Sequence, residues 1–187
     1  MHDGLGSSLM SSLVMVEQGR LEPAAVALVL RECIDDLKLT IDSLEPIDHD
    51  LVTLLATLRY RLGRRLEMAG LQLEWRVDDL PPLPWLDAVN SLQVLRIIQE
   101  ALTNIAKYAR ARNVYIVLGV RDGMAAIEVS DDGVGFDPAH TKMAGNGLLG
   151  MRYRVEAECG ALRVKSAPGE GTNLKATLPL LTRTPAT

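Results

Sequence analysis

The chain has few aromatic residues. Phe, Trp and Tyr together make up 4% of its 187 residues, although hydrophobic residues of all kinds make up 48%. This scarcity excludes a core built mainly from aromatic rings. A chain of this length can nevertheless bury a sizeable core, so Leu, Val, Ile and Ala must carry most of the packing.

Cysteine is also scarce. Cys33 and Cys159 are the two cysteines, and they lie far apart without any metal-ligand spacing. A cysteine-based metal site and a disulfide framework are therefore excluded. We expect both residues to be small buried apolar side chains in a reducing compartment.

The chain has no excess of positive charge and no long apolar segment. Lys and Arg number 20 against 24 Asp and Glu, for a formal net charge of −4. Nucleic acid is therefore not expected as the main partner, because phosphates would not be neutralised. No stretch approaches the roughly 18 apolar residues of a membrane span, and no signal peptide is visible. We expect a cytoplasmic chain that is part of a longer protein, since its start leaves no room for preceding helical turns.

Two apolar stripes near the N-terminus predict a helical hairpin. The first stripe consists of Leu5, Leu9, Leu13 and Val16, and the second of Val26, Leu30, Cys33, Leu37, Ile41 and Leu44. Steps of three and four residues are typical of a coiled-coil-like seam. Two helices alone bury little surface, so we expect a four-helix bundle formed by two chains. The alternative is a hairpin packed on its own domain.

The remainder of the chain mixes helix and strand patterns. The predicted helices cover 50–69, 87–109 and about 147–159, and the predicted strands cover 71–77, 113–120, 124–130, 161–166 and 172–178. This order predicts an α+β fold in which helices cover one face of a mostly antiparallel sheet. The regular βαβ alternation of a doubly wound fold is absent. We place the domain boundaries at 1–46, 47–181 and 182–187, the last being a tail.

The helix predicted over 87–109 carries three polar residues in one row. Glu100, Asn104 and Lys107 lie opposite its apolar face at about 100° per residue. Such a row is often only a solvated surface. It could equally hold Mg²⁺ and nucleotide phosphates, because that ion prefers oxygen ligands.

A glycine-rich loop follows the strand predicted over 124–130. Asp131 is followed by Asp132, Gly133, Val134 and Gly135. This pattern is consistent with a simple turn. It also allows the backbone to turn sharply beneath a ligand, with the Asp131 carboxylate accepting a hydrogen bond from an exocyclic amine such as that of adenine.

Two further glycine motifs follow. Residues 145–150 spell G-x-G-x-x-G, but no strand precedes them, so a dinucleotide fold is rejected. Gly145 and Gly147 instead open a helix whose N-terminal amides could bind phosphate, and Lys142 is a candidate phosphate contact in a lid over 136–147. The later Gly169-Glu170-Gly171 turn precedes Thr172, whose hydroxyl could lie near the base.

In this order the motifs closely resemble the ATP-binding domain of the GHKL superfamily, whose fold is the Bergerat α/β sandwich. Residues 100–107 resemble the N box, 131–135 the G1 box and 145–154 the G2 box. The Gly-Leu-x-Gly-Met-Arg ending of the last box and the His2-Asp3 start resemble sensor histidine kinases of the nitrate-sensor and lipid-fluidity-sensor type.

The resemblance implies a protein-histidine kinase of a two-component system with ATP and Mg²⁺ as cofactors. His2 would be the phosphorylated nucleophile, with Asp3 orienting it and serving as general base. The remaining roles are carried over to matching positions only. Glu100 would act in catalysis and, with Asn104, hold the metal, while the nucleotide would be bound by Asn104, Lys107, Asp131, Gly133, Gly135, Lys142, Gly145, Gly147 and Thr172.

The implied partners are a second copy of the chain, joined through the N-terminal helices, and the receiver domain of a response regulator. Attachment to the inner face of a bacterial membrane is expected only through a segment upstream of this chain. The family often has His where Tyr108 and Asn146 stand, and Gln where Ser7 stands.

Three other functions compete with this one. A GHKL scaffold or degenerate kinase would bind ATP without phosphorylating itself. A serine kinase of the anti-sigma-factor type would lack the hairpin with its His-Asp pair, and a purely structural dimerisation module would need no glycine boxes. The histidine kinase is favoured because Asn104, Asp131 and the glycines are all present.

Overall fold

A computed structural model describes residues 14–16, 26, 34, 50–68, 70–138 and 146–181 of the chain. Contacts divide the chain into two compact units, Met1–Glu45 and Pro46–Thr187. The predicted hairpin over 1–46 lies almost wholly outside the described residues, and the predicted tail over 182–187 lies entirely outside them. The described fold is therefore that of the second unit.

The second unit begins with helix α1 (Leu51–Met68). The Asp50 carboxylate caps this helix, because it accepts hydrogen bonds from the Val52 backbone N–H at 2.8 Å and from the Thr53 hydroxyl at 2.6 Å. A side chain of this kind satisfies amides that have no partner within the helix. The buried face of α1 includes Leu51, Leu54, Leu55 and Leu58. The predicted helix over 50–69 is thus confirmed.

Five strands form one sheet. They are β1 (Gln72–Val77), β2 (Asn113–Arg121), β3 (Met124–Asp131), β4 (Ala161–Ser166) and β5 (Thr172–Pro179). Their order across the sheet is β1-β2-β3-β5-β4. Only the pairing of β1 with β2 is parallel, and the other three pairings are antiparallel. The mostly antiparallel sheet expected from the sequence is confirmed.

Two further helices pack with this sheet. Helix α2 (Ala88–Asn104) continues into a π-helical turn (Ile105–Ala109), and helix α3 (Asn146–Ala157) follows β3. The helix predicted over 87–109 therefore exists, but its last five residues follow a wider turn than the α spacing assumed. None of the helices in the described part of the chain has both the length and the apolarity needed to cross a bilayer.

The core lies between one face of the sheet and the helices. On β2, Val114, Ile116 and Leu118 are buried while Tyr115 is exposed, the alternation of a strand with one covered face. The start of α2 is fixed to the far end of β5, because the buried Trp85 indole N–H donates to the Pro179 carbonyl at 2.7 Å. This aliphatic core, with its few rings, agrees with the composition.

The expectation that both cysteines are buried is wrong for Cys159, which is an exposed free thiol. The residue has a left-handed backbone with φ of 55°, and it follows the last turn of α3. Its amide donates to the Glu156 carbonyl at 3.0 Å. Cys159 thus belongs to the exposed turn that ends the helix and not to the core. Cys33 lies outside the described residues.

Candidate functional site

The described site residues occupy five elements and one loop. Glu100 and Asn104 lie on α2, Lys107 lies in the π-helical turn, and Asp131 ends β3. The others follow in the loop after β3, in α3 and at the start of β5, and they are Gly133, Gly135, Gly147 and Thr172. His2, Asp3, Lys142 and Gly145 lie outside the described residues.

A pocket of about 220 Å³ opens among these elements. This volume lies below the roughly 300–1,000 Å³ typical of sites for drug-sized ligands, and it therefore suits a ring system better than a whole nucleotide. Its walls are mostly apolar. The lining residues are Ala101, Asn104, Ile105, Tyr108, Ala109, Val129, Asp131, Val134, Gly135, Phe136, Leu148, Met151, Thr172 and Leu174.

Asp131 is the buried acid of this pocket, with 8% of its surface exposed. The Gly133 backbone N–H donates to its Oδ1 at 2.8 Å, and the backbone N–H and hydroxyl of Thr172 also donate to the carboxylate. Burial is the largest influence and raises the pKa of Asp131 above 3.8, and the neighbouring charge of Asp132 adds to this effect. The carboxylate is a hydrogen-bond acceptor at the wall of an otherwise apolar pocket.

Asp132, the next residue, faces away from the pocket and has a structural role. Its Oδ1 accepts from the backbone N–H groups of Arg112 and Asn113 at 2.8 Å each, and its Oδ2 accepts from the Asn113 side-chain amide at 2.7 Å. The two backbone bonds are the main reason that the pKa of Asp132 is lowered. The two adjacent carboxylates thus have different roles. Asp131 lines the pocket, and Asp132 holds the loop to the start of β2.

The loop after Asp131 lies between the π-helical turn and the β4–β5 hairpin. The Val134 amide donates to the Ala109 carbonyl, and the Gly169 amide donates to the Val134 carbonyl, both at 2.7 Å. Gly135 has a φ of +58°, and a Cβ there would overlap the Ala167 carbonyl oxygen. A side chain at Gly135 would therefore push the loop off the hairpin.

The polar row on α2 is only partly in the pocket. The Asn104 amide nitrogen lies 3.4 Å from Glu100 Oε1, within hydrogen-bond range, so the two side chains are neighbours. Asn104 lines the pocket, while Glu100 and Lys107 lie outside its lining. Glu100 instead contacts the start of α3, where a Cβ on Gly147 would overlap Glu100 Oε1.

The oxygen donors of Glu100 and Asn104 fit Mg²⁺ by their chemistry. This ion is usually held by one or two carboxylates together with phosphates and waters. Within the described ranges, no group of three or more His, Cys, Asp or Glu residues could hold a metal by itself. Any Mg²⁺ in this region would therefore need ligands besides such side chains.

Ser166 is a further residue at the site, and it was not predicted from the sequence. Its Oγ accepts from the Phe136 amide at 2.9 Å, donates to the Gly171 carbonyl at 2.8 Å, and lies 3.1 Å from Thr172 Oγ1. Two of these partners, Phe136 and Thr172, line the pocket. A signal was available, because the predicted hairpin pairs Ser166 with Thr172 when its register is written out.

Comparison with known proteins agrees with this geometry. Residues 89–182 match the family described as histidine kinase-, DNA gyrase B-, and HSP90-like ATPases. The chain is 32% identical over 91 residues to the signal transduction histidine-protein kinase/phosphatase DegS of Brevibacillus brevis, covering 49% of this chain and 24% of that protein. It is 32% identical over 148 residues to the histidine-protein kinase/phosphatase UhpB of Salmonella typhimurium, covering 78% of this chain and 28% of that protein. The chain therefore spans about a quarter of the length of these relatives.

Solved structures share the fold. The histidine kinase domain of the Erythrobacter litoralis EL346 blue-light activated histidine kinase superposes with a TM-score of 0.65 at 17% identity, over 94% of this chain and 83% of that one. The Acinetobacter baumannii histidine kinase AdeS gives a TM-score of 0.60 at 14% identity, over 94% and 95% of the two chains. At such low identity these structures establish the fold alone.

Proposed function

Because the chain belongs to the family of histidine kinase-, DNA gyrase B-, and HSP90-like ATPases, we propose that it is the kinase core of a bacterial sensor histidine kinase. It would bind Mg²⁺-ATP, phosphorylate His2, and pass the phosphoryl group to an aspartate on a response-regulator receiver domain. The observation that carries this proposal is the buried Asp131 carboxylate in the wall of an apolar pocket, with Thr172 beside it.

In this proposal the pocket selects adenine through an acceptor. The Gly133 amide already occupies Asp131 Oδ1, while the second oxygen can accept a hydrogen bond from the exocyclic amine. Guanine has a carbonyl oxygen at the same point. That oxygen and the Asp131 carboxylate are both hydrogen-bond acceptors, so neither would have a partner in the buried pocket. Phe136 and the aliphatic lining supply apolar contact for the ring.

The phosphates of the nucleotide would lie toward α2 and the start of α3. Asn104 and Glu100 supply oxygen ligands for Mg²⁺, and Lys107 supplies positive charge. Bound Mg²⁺ neutralises charge that develops on phosphate oxygens. Gly147 leaves room for the backbone near Glu100, and we propose Gly145 and Lys142 as further contacts. Positioning and charge neutralisation are the main requirements of this chemistry.

His2 and Asp3 complete the proposed reaction. A ring nitrogen of His2 forms a bond to the γ-phosphorus, while the bond from that phosphorus to the bridging oxygen breaks and ADP leaves. Asp3 first accepts a hydrogen bond from the other ring nitrogen, which holds the neutral tautomer, and then takes that proton as the N–P bond forms, so that the phosphorylated ring carries no positive charge. We further propose that residues 1–46 form the dimerising hairpin and residues 47–181 the catalytic domain.

Calorimetric titration with Mg²⁺-ADP tests the pocket. Wild type is expected to bind, and Asp131→Asn is expected to lose affinity on the order of 100-fold, because a hydrogen bond to a charged acceptor is lost. Asp132→Asn is the matched control, because this neighbour faces away from the pocket and an amide oxygen can still accept from the Arg112 and Asn113 backbone N–H groups, so affinity should change less than about twofold. Equal losses in both variants would assign the effect to the loop as a whole. Absence of binding by wild type would reject the proposed function.

A further inference from the structure

Ser166 joins three segments that meet at the pocket. It is the last residue of β4 and pairs with Thr172, the first residue of β5. Its hydroxyl accepts from the Phe136 amide and donates to the Gly171 carbonyl, so the loop after β3 and the hairpin turn share one side-chain oxygen. Ser166 is half-buried and is not part of the pocket lining. Any effect on a ligand must therefore pass through its neighbours.

Those neighbours are two walls of the pocket. Phe136 supplies an aromatic ring, and the Ser166 hydroxyl fixes its backbone 30 residues away in sequence. Thr172 supplies a hydroxyl that hydrogen-bonds with Asp131, and its Oγ1 lies 3.1 Å from Ser166 Oγ. A single side chain thus sets the positions of the apolar contact and of one polar contact that a base would meet.

The hydroxyl protons explain how Ser166 can control Thr172. A serine hydroxyl has one proton and can also accept, and in Ser166 that proton is directed to the Gly171 carbonyl at 2.8 Å. In the hydrogen bond between the two hydroxyls, Thr172 must therefore be the donor and Ser166 Oγ the acceptor. The Asp131 carboxylate is the alternative acceptor for the Thr172 hydroxyl proton, since the Thr172 side chain also hydrogen-bonds with it. Ser166 therefore gives the Thr172 hydroxyl a second acceptor.

We propose that Ser166 is a positioning residue for the nucleotide base, acting through Phe136 and Thr172. This inference rests on the proposed function, because it concerns the same pocket. When an amine donates to Asp131, the Thr172 proton turns to Ser166 Oγ, and the Thr172 oxygen keeps lone pairs toward the base. Without the Ser166 hydroxyl, the Thr172 hydroxyl has no second acceptor. It continues to donate its hydrogen bond to Asp131 and so competes with the amine for the carboxylate.

A ligand pair separates this role from a general structural one. Calorimetry would measure the Kd of Mg²⁺-ADP and of the Mg²⁺ complex of purine riboside 5′-diphosphate, which lacks the exocyclic amine. Ser166→Ala is expected to weaken ADP binding about tenfold, as for the loss of one orienting hydrogen bond. The same variant should weaken the amine-free nucleotide less than about threefold, because no amine then competes for Asp131 and the altered Phe136 position is the one remaining effect.

Two further variants complete the experiment. Thr177→Ala is the matched control, since the Thr177 hydroxyl donates to the Ala161 carbonyl at 3.2 Å at the other end of the same strand pair. It should leave both Kd values within twofold. Ser166→Thr retains a hydroxyl and is expected to bind ADP at least threefold more tightly than Ser166→Ala.

Each remaining outcome overturns the inference. Equal weakening of both nucleotides by Ser166→Ala would assign Ser166 to structure alone. ADP binding within twofold of wild type, or a Ser166→Thr variant as weak as Ser166→Ala, would remove the hydroxyl from base recognition. These outcomes leave the proposed function standing, whereas a wild type that binds neither nucleotide rejects both.

Discussion

At the scale of single residues, the strand pattern separates two adjacent carboxylates. Ile127, Val129 and Asp131 are alternate residues of β3, and all three are buried. A strand places alternate side chains on one face, so Asp131 follows the core residues inward while Asp132 turns outward. The choice of Asp131 over Asp132 as the pocket acid was therefore available from sequence alone.

The raised pKa of Asp131 predicts a pH dependence of known sign. Burial favours the protonated form in the folded state, so the stabilisation is present at low pH and is lost as pH rises through the raised pKa. Wild type should therefore lose stability relative to Asp131→Asn as pH rises from about 3.8. The difference in Tm between the two proteins, measured from pH 4 to pH 8, checks this.

Nucleotide binding should change in the opposite direction. The charged carboxylate is the proposed acceptor, so ADP affinity of wild type should fall as pH drops through the raised pKa of Asp131. For the stability prediction, a Tm difference between wild type and Asp131→Asn that stays constant from pH 4 to pH 8 would contradict the raised pKa. It would show that Asp131 titrates alike in the folded and unfolded states.

At the scale of secondary-structure elements, the sequence predicted nearly every helix and strand of the described unit. Period-two alternation identified β1, and glycine turns separated the later strands. These are local signals, and they are strong because each element buries one face. The strand boundaries were accordingly close to those of the structure.

The end of the helix that begins at Ala88 was not predictable in the same way. The π-helical turn (Ile105–Ala109) differs from α-helix in its hydrogen bonding, and its final carbonyl, on Ala109, accepts from the Val134 amide. A wider turn of this kind is stabilised by contacts outside the helix. Side-chain spacing within 87–109 contains no information about Val134.

Ser166 was missed for the same reason. The residue ends an ordinary amphipathic strand, and the hairpin register shows only that it lies beside Thr172. Its importance comes from Phe136, 30 residues earlier. The glycine boxes were predictable because their motif is local, whereas the hydrogen bonds that join the boxes are tertiary.

The first helix of the described unit gives a prediction at this scale. Asp50→Ala removes the cap of α1 and should lower the stability of the unit by about 1 kcal/mol, or about 3 °C in Tm. The Thr53 hydroxyl is the main reason that the pKa of Asp50 is lowered. The stabilisation is therefore present above the unfolded pKa and is lost as pH falls through the lowered folded pKa.

Thermal unfolding at pH 7 and at pH 3 measures this effect. The Tm difference between wild type and Asp50→Ala should be smaller at pH 3. Asp50→Asn is the control, because an amide oxygen is also a good cap, and it should remain close to wild type at pH 7. An alanine variant as stable as the asparagine variant would show that the cap contributes nothing.

At the scale of the whole molecule, the proposed ligand joins parts of the chain that are distant in sequence. The pocket draws residues from α2, the π-helical turn, strand β3 and the loop after it, helix α3 and strand β5. A ligand that contacts all of these elements binds only when they are assembled. Ligand binding should therefore stabilise the unit Pro46–Thr187 as a whole, by an amount that rises with the logarithm of the ligand concentration above the Kd.

Mg²⁺-ADP at 100 times its Kd should stabilise this unit by about 2.7 kcal/mol, which corresponds to about 8 °C in Tm. Chelation of Mg²⁺ with excess EDTA should reduce the shift, because the phosphates then meet Asn104 and Glu100 without a bridging cation. Differential scanning fluorimetry of the full chain across a range of ADP concentrations measures both effects.

Mg²⁺-GDP is the control, since its carbonyl oxygen would face Asp131. An equal shift with GDP would place the binding energy in the phosphates and remove the base pocket from recognition, while a shift unaffected by EDTA would exclude the two side chains as metal ligands.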